Sequence, residues 1–72
     1  DQDVVLADDE VLLQSHVPGS VWQVAAAAGD VLDAGMPVVV VESMKMEIPV
    51  ASPRRLRIRR VLVAPGAQVQ PG

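Results

Sequence analysis

Residues 37 positions apart match in kind through most of this chain. Ser15 pairs with Ser52, Val21 with Ile58, Val24 with Val61, Gly29 with Gly66, Leu32 with Val69 and Gly35 with Gly72. Two of these pairs are glycines at turn positions, where a backbone requirement and not surface chance fixes the residue. The repeat predicts two similar half-domains related by a pseudo-twofold, each supplying about half of the secondary structure. At 72 residues one small domain is the ceiling, so the halves must share a single core.

The elements inside each half are short apolar runs cut by Gly and Pro. From Val11 they run through Val11-Leu12-Leu13, Val21 to Ala26, Val31-Leu32, Val38 to Val41, Ile48-Pro49-Val50, Leu56 to Val63 and Val69. Turn signals at this spacing predict an all-β barrel or sandwich. Ala25 to Ala28 could open a helix, but Gly29 ends it before a stable length. Val, Ala and Leu carry most of the apolar half of the composition, and Trp22 is the sole aromatic, so the core must be built from small aliphatic side chains. There is no cysteine to form a disulfide or a thiolate metal site, and no signal segment opens the sequence. Both fit a cytoplasmic setting. No apolar stretch is long enough to span a membrane, and the net charge of −3 argues against nucleic acid as a main partner.

Two expectations concern the ends. Asp1 to Glu10 carries five acids around Val4-Val5-Leu6 and reads as an acidic linker or arm, with the folded domain running from residue 11 to 72. The repeat also demands a counterpart for Met36 to Glu42. Counted forward it falls after Gly72, where this sequence stops, which points to a missing last strand and an unpaired sheet edge.

Lys45 is the only lysine, and it lies between the two halves in Glu42-Ser43-Met44-Lys45-Met46-Glu47. The other five basic residues are arginines between Arg54 and Arg60. Together with Gly29-Asp30-Val31-Leu32-Asp33-Ala34-Gly35, this hexapeptide resembles the biotinyl (biotin carboxyl carrier) domain family, over about Ser15 to Gly72. Pro18 to Val24 and Glu42 to Val50 are similar in particular to the carrier domain of urea carboxylases. The carrier subunits of acyl-CoA carboxylases share much of that wording.

The resemblance implies a flattened barrel of two four-stranded antiparallel sheets with the lysine at a hairpin tip. It implies covalent biotin on Lys45, attached by a biotin protein ligase, with Met44 and Met46 as the flanking recognition motif. The carrier would shuttle a carboxyl group on biotin between biotin carboxylase and carboxyltransferase domains while itself performing no chemistry. Given that hairpin, Met44-Lys45 is poor turn chemistry, because a two-residue turn with positive φ prefers Asn-Gly or Gly-X. A locally disfavoured tip suggests a site kept for function. Glu42 and Glu47 keep the tip soluble and offer charges to cations on a ligase. A lipoyl carrier shares the fold and the lysine, but its usual flanks are Asp-Lys-Ala, against the two methionines here.

Other features carry weaker signals. Arg55, Arg57 and Arg59 alternate with Leu56 and Ile58, so the arginines line one strand face. That stripe is either a solvated face balanced by the acidic arm or a contact surface for an acidic partner. Leu56 stands where the first half has Gly19, which puts the local turn in question. His16 has no triad partners, and Ser15 and Ser20 read as ordinary loop residues. Asp30 and Asp33 lack a third metal ligand, and Asp30 after Gly29 is explained by turn chemistry. Trp22 is expected at least partly buried on its own strand. No nucleophile, base or phosphate loop points to an independent enzyme.

Overall fold

The computed structural model describes residues 3–71. It contains eight strands: β1 Asp3–Ala7, β2 Leu12–Gln14, β3 Gly19–Val24, β4 Val31–Leu32, β5 Pro37–Ser43, β6 Met46–Ala51, β7 Leu56–Val61 and β8 Gln68–Val69. They form two four-stranded antiparallel sheets, ordered β2-β1-β7-β4 and β6-β5-β3-β8. Advancing each number of the first order by four, and restarting after eight, gives the second. That is the pseudo-twofold in topological form.

The backbone hydrogen bonds obey the same symmetry. Gly29 N–H donates to the Ile58 carbonyl at 2.7 Å, and Gly66 N–H donates to the Val21 carbonyl at 2.8 Å. Ile58 N–H to Asp30 O and Val21 N–H to Ala67 O are both 2.8 Å. Each pair is related by 37 positions, with the two halves exchanging donors. Gly29 and Gly66 hold φ values of 94° and 92°, which only glycine adopts cheaply. Ser15 and Ser52 are both buried, and each hydroxyl donates to the carbonyl two residues on, Val17 at 2.7 Å and Arg54 at 2.6 Å. Ser15 is thus a corner brace of the fold and not an ordinary loop residue.

The acidic-arm reading does not describe residues 3–7. They form β1, inside its sheet between β2 and β7, with Val4, Val5 and Ala7 fully buried. Asp1 and Gln2 lie outside the described residues. β1 is also the counterpart of β5, so the strand that the repeat demands lies before the repeat and not after Gly72. Val4, Val5, Leu6 and Ala7 show the burial sequence of Val38, Val39, Val40 and Val41, three buried residues with a half-buried third position. The partners agree: Val5 opposes Val61 as Val39 opposes Val24, and Ala7 opposes Ile58 as Val41 opposes Val21. Here the spacing is 34, because the β5–β6 hairpin is three residues longer than the β1–β2 hairpin.

The core draws on both sheets. Val4, Val5, Val38, Val39, Val41 and Ile58 have no exposed surface, and Leu13, Val21, Ala26, Leu32, Val50, Leu56 and Val69 join them. Each fully buried branched side chain contributes about 1.5–3 kcal/mol. No aromatic takes part: Trp22 is 51% exposed on β3, partly buried on its own strand but outside the core. Trp22 and Arg59 are the residues skipped in the β3–β5 and β7–β1 registers, so both stand at equivalent bulges.

Candidate functional site

β5 and β6 form the longest hairpin of the fold, in register from Val39↔Val50 to Ser43↔Met46. Four valines in a row make β5 a strand, three of them buried, and this anchors the base of the hairpin. Beyond Val41↔Ile48 the two strands leave the core. The corresponding pair at the other hairpin is Ala7 and Val11, whose N–H and carbonyl bond at 2.9 Å. Between Ala7 and Val11 lie only Asp8-Asp9-Glu10, whereas between Val41 and Ile48 lie Glu42-Ser43-Met44-Lys45-Met46-Glu47. The three-residue difference between the two halves is therefore confined to the hexapeptide that the sequence singles out.

At the tip, Met44 and Lys45 have φ values of 52° and 64°. Two consecutive positive φ angles across a two-residue connection define a type I′ turn. Neither residue is Gly, Asn or Asp, so each pays about 1–2 kcal/mol for its left-handed conformation. One step down, Glu42 and Glu47 face each other across the ladder. Like charges placed directly opposite add a further penalty. Both penalties fall on one exposed turn, which marks it as a segment not chosen for stability.

The tip is open to solvent. Met44 is 93% exposed and Met46 64%, and Lys45 is exposed without a hydrogen bond or ion pair to any described residue. An amine so placed is free to be acylated and to carry its substituent clear of the barrel. The thioethers on either side supply apolar, adaptable contact surface to whatever approaches it.

Gly19 packs where this hairpin leaves the core, two residues short of the tip. A Cβ there would stand 2.3 Å from the Glu42 carbonyl oxygen and 2.8 Å from Val41 Cγ1. β3 can therefore approach β5 closely only because position 19 lacks a side chain. The role was missed in the sequence, although Gly19 is the one glycine of the first half whose repeat partner is not glycine. In the other half Leu56 is buried, pairs with Leu32 and opens β7 without a break. There the smaller Ala7 stands in the place of Val41, so the lost glycine leaves the strand register intact.

The remaining sequence candidates are placed elsewhere. Arg54 pairs with Asp9, Arg57 with Asp8 at 3.6 Å and Arg59 with Glu10 at 3.8 Å, and Arg55 pairs with Asp33 at 2.9 Å. The arginine stripe is thus an exposed face whose charges are paired, Arg57 and Arg59 with the β1–β2 turn and Arg55 with Asp33 after β4. Its contacts also fix the geometry of the ends, since Arg54 follows Ala51 at the foot of the β5–β6 hairpin. The Asp8 to Glu10 turn lies at that foot, and Lys45 lies at the opposite end of the molecule. Asp30 closes its own turn by accepting from Ala27 N–H at 2.8 Å. His16 is exposed. Among the described residues no group of three acidic or histidine side chains is arranged to hold a metal, and no pocket is present.

Comparison with known proteins agrees with this geometry. The family profile described as biotin-requiring enzyme, of the biotin/lipoyl attachment type, matches residues 13–72. The biotin/lipoyl attachment protein of Bacillus subtilis is 39% identical over 57 residues, which cover 79% of this chain and 78% of that protein. The urea amidolyase of Saccharomyces cerevisiae is 30% identical over 61 residues, 85% of this chain but only 3% of the much longer relative. Among solved structures, a single-chain, multi-domain long-chain acyl-CoA carboxylase matches with a TM-score of 0.75 and 43% identity, over 81% of this chain and 6% of that one. An exposed amine on a protruding turn suits a covalently held biotin, the group that this family uses. The chain belongs to the biotin/lipoyl attachment family of biotin-requiring enzymes, as a carrier domain and not a catalytic one.

Proposed function

We propose that this chain is the biotin carboxyl carrier domain of a biotin-dependent carboxylase, with Lys45 as the acceptor. The observation that carries the reading is positional. The chain has one lysine, and it occupies the strained tip of the hairpin that one half has lengthened by three residues. A biotin protein ligase acylates the Lys45 amine, with Met44 and Met46 in its grip and Glu42 and Glu47 facing its cations. Biotin, once attached, supplies the ring nitrogen that takes up and releases a carboxyl group. The protein's own part is to hold the amine away from the barrel and raise the local concentration of the cargo at two active sites. Those sites belong to biotin carboxylase and carboxyltransferase domains.

For the parent enzyme we favour a urea carboxylase, on the wording of Pro18 to Val24 and Glu42 to Val50 and the likeness to the yeast amidolyase. The 43% identity to the acyl-CoA carboxylase supports the second reading, a carrier for an acyl-CoA substrate.

The test is incubation with a biotin ligase, biotin and ATP, read by intact mass and by streptavidin binding. Wild type should gain one biotin and Lys45→Arg none. Biotin on the arginine variant, or preferential labelling by a lipoate ligase, would overturn the assignment.

A further inference from the structure

The carrier reading uses Met44 and Met46 as contact surface and leaves their chemistry aside. The chain has three methionines and no cysteine, so these thioethers are its only oxidisable sulfur. Their settings differ sharply. Met44 is 93% exposed on the turn and Met46 is 64% exposed at the start of β6. Met36 is 43% exposed, and its Sδ lies 3.3 Å from the Asp33 N–H, which donates to it. Exposure and a free lone pair both favour attack by an oxidant at the tip before Met36.

We propose that Met44 and Met46 form an oxidation switch on the attachment site, with hydrogen peroxide as the oxidant. The inference rests on the carrier reading, since its output is acceptance of biotin at Lys45. The thioether sulfur attacks one peroxide oxygen and the O–O bond breaks. The sulfur loses two electrons and keeps that oxygen as a sulfoxide, and the other oxygen leaves as water. The product is a polar, chiral group on each side of the amine where a flexible apolar one stood. No core contact is lost, because neither side chain is part of the buried cluster. The barrel therefore stays folded while the surface that a ligase must grip changes character. Sulfoxide reductases reverse the reaction, so the modification is a switch and not a lesion.

The experiment exposes the folded domain to dilute hydrogen peroxide and maps sulfoxide by peptide mass spectrometry. Biotin acceptance is then timed before and after treatment, and again after methionine sulfoxide reductases A and B. Oxygen should appear at Met44 first and at Met36 last. Acceptance should fall about tenfold with an unchanged circular dichroism spectrum, and recover on reduction. Met36→Leu should respond in the same way. The inference is overturned by acceptance at the original rate with Met44 and Met46 oxidised, or by Met36 oxidising first. A Met36→Leu domain that has lost the response also overturns it. An untreated domain that takes no biotin sinks the carrier reading itself and this inference with it, a result distinguishable from failure of the switch alone.

Discussion

Replacing Met44-Lys45 by Asn-Gly should stabilise the domain while abolishing its acceptor. The two residues hold φ values of 52° and 64°, and for side chains of their type this costs about 1–2 kcal/mol each. Glycine removes that cost at position 45, and asparagine lowers it at position 44. Glycine's extra freedom in the unfolded chain returns about 0.5–1 kcal/mol of the gain. Almost nothing else is lost, since Met44 is 93% exposed and Lys45 has no partner among the described residues. The net expectation is about 1–2 kcal/mol of added stability, or a Tm rise of about 5–15 °C for a domain of this size. Urea denaturation gives the free energy and calorimetry gives the Tm. Lys45→Arg is the control, because arginine pays the same backbone cost and keeps the charge beside Glu42 and Glu47. High salt removes any residual contribution of that charge. An Asn-Gly variant no more stable than wild type would refute the claim that the tip is strained, and with it the argument that the turn is maintained against its own preference.

Two further outcomes probe the frame around the tip. Gly19→Ala should destabilise by about 1–3 kcal/mol, because its Cβ would meet the Glu42 carbonyl at 2.3 Å and the backbone must part to admit it. The same variant should slow biotin acceptance by shifting Glu42 and with it the turn beyond, and a fully stable Gly19→Ala would show that the close approach is relaxed in solution. Deleting residues 1–7 should unfold the domain, as read by loss of its cooperative melt, since it removes Val4, Val5 and Ala7 from the core and leaves β2 and β7 without their shared neighbour. A deletion that still melts cooperatively would restore the view of that segment as an arm.

Much of this architecture can be read from residue spacing. The 37-residue repeat names the paired turns at Gly29 and Gly66 and the paired corners at Ser15 and Ser52, because each such site imposes a local backbone rule. β1 is harder to read for a physical reason. Three added residues in one hairpin shift its register to 34, so a search at a single spacing runs past Val4-Val5-Leu6-Ala7. Asp3, Asp8, Asp9 and Glu10 then give the segment the composition of a solvated tail, although Asp8 and Glu10 form ion pairs with β7 and Asp9 with Arg54 just before it. The lysine tip was legible from its neighbours. The need for Gly19 was not, because it depends on how near β3 comes to the Glu42 carbonyl, and no one-dimensional pattern records that distance.

Under the proposed carrier function, the unequal hairpins also bear on a question of number. A perfectly repeated chain would raise an equivalent turn at both ends of a body 31 Å long, and an attachment enzyme would meet two competing acceptors. Half of the loaded molecules would then carry cargo on the end facing away from the site being served. Lengthening one turn, and closing the other under Asp8, Asp9 and Glu10 held by arginines, gives the domain a front and a back. With Lys45 as the acceptor, delivery would be directional, with one passenger per chain.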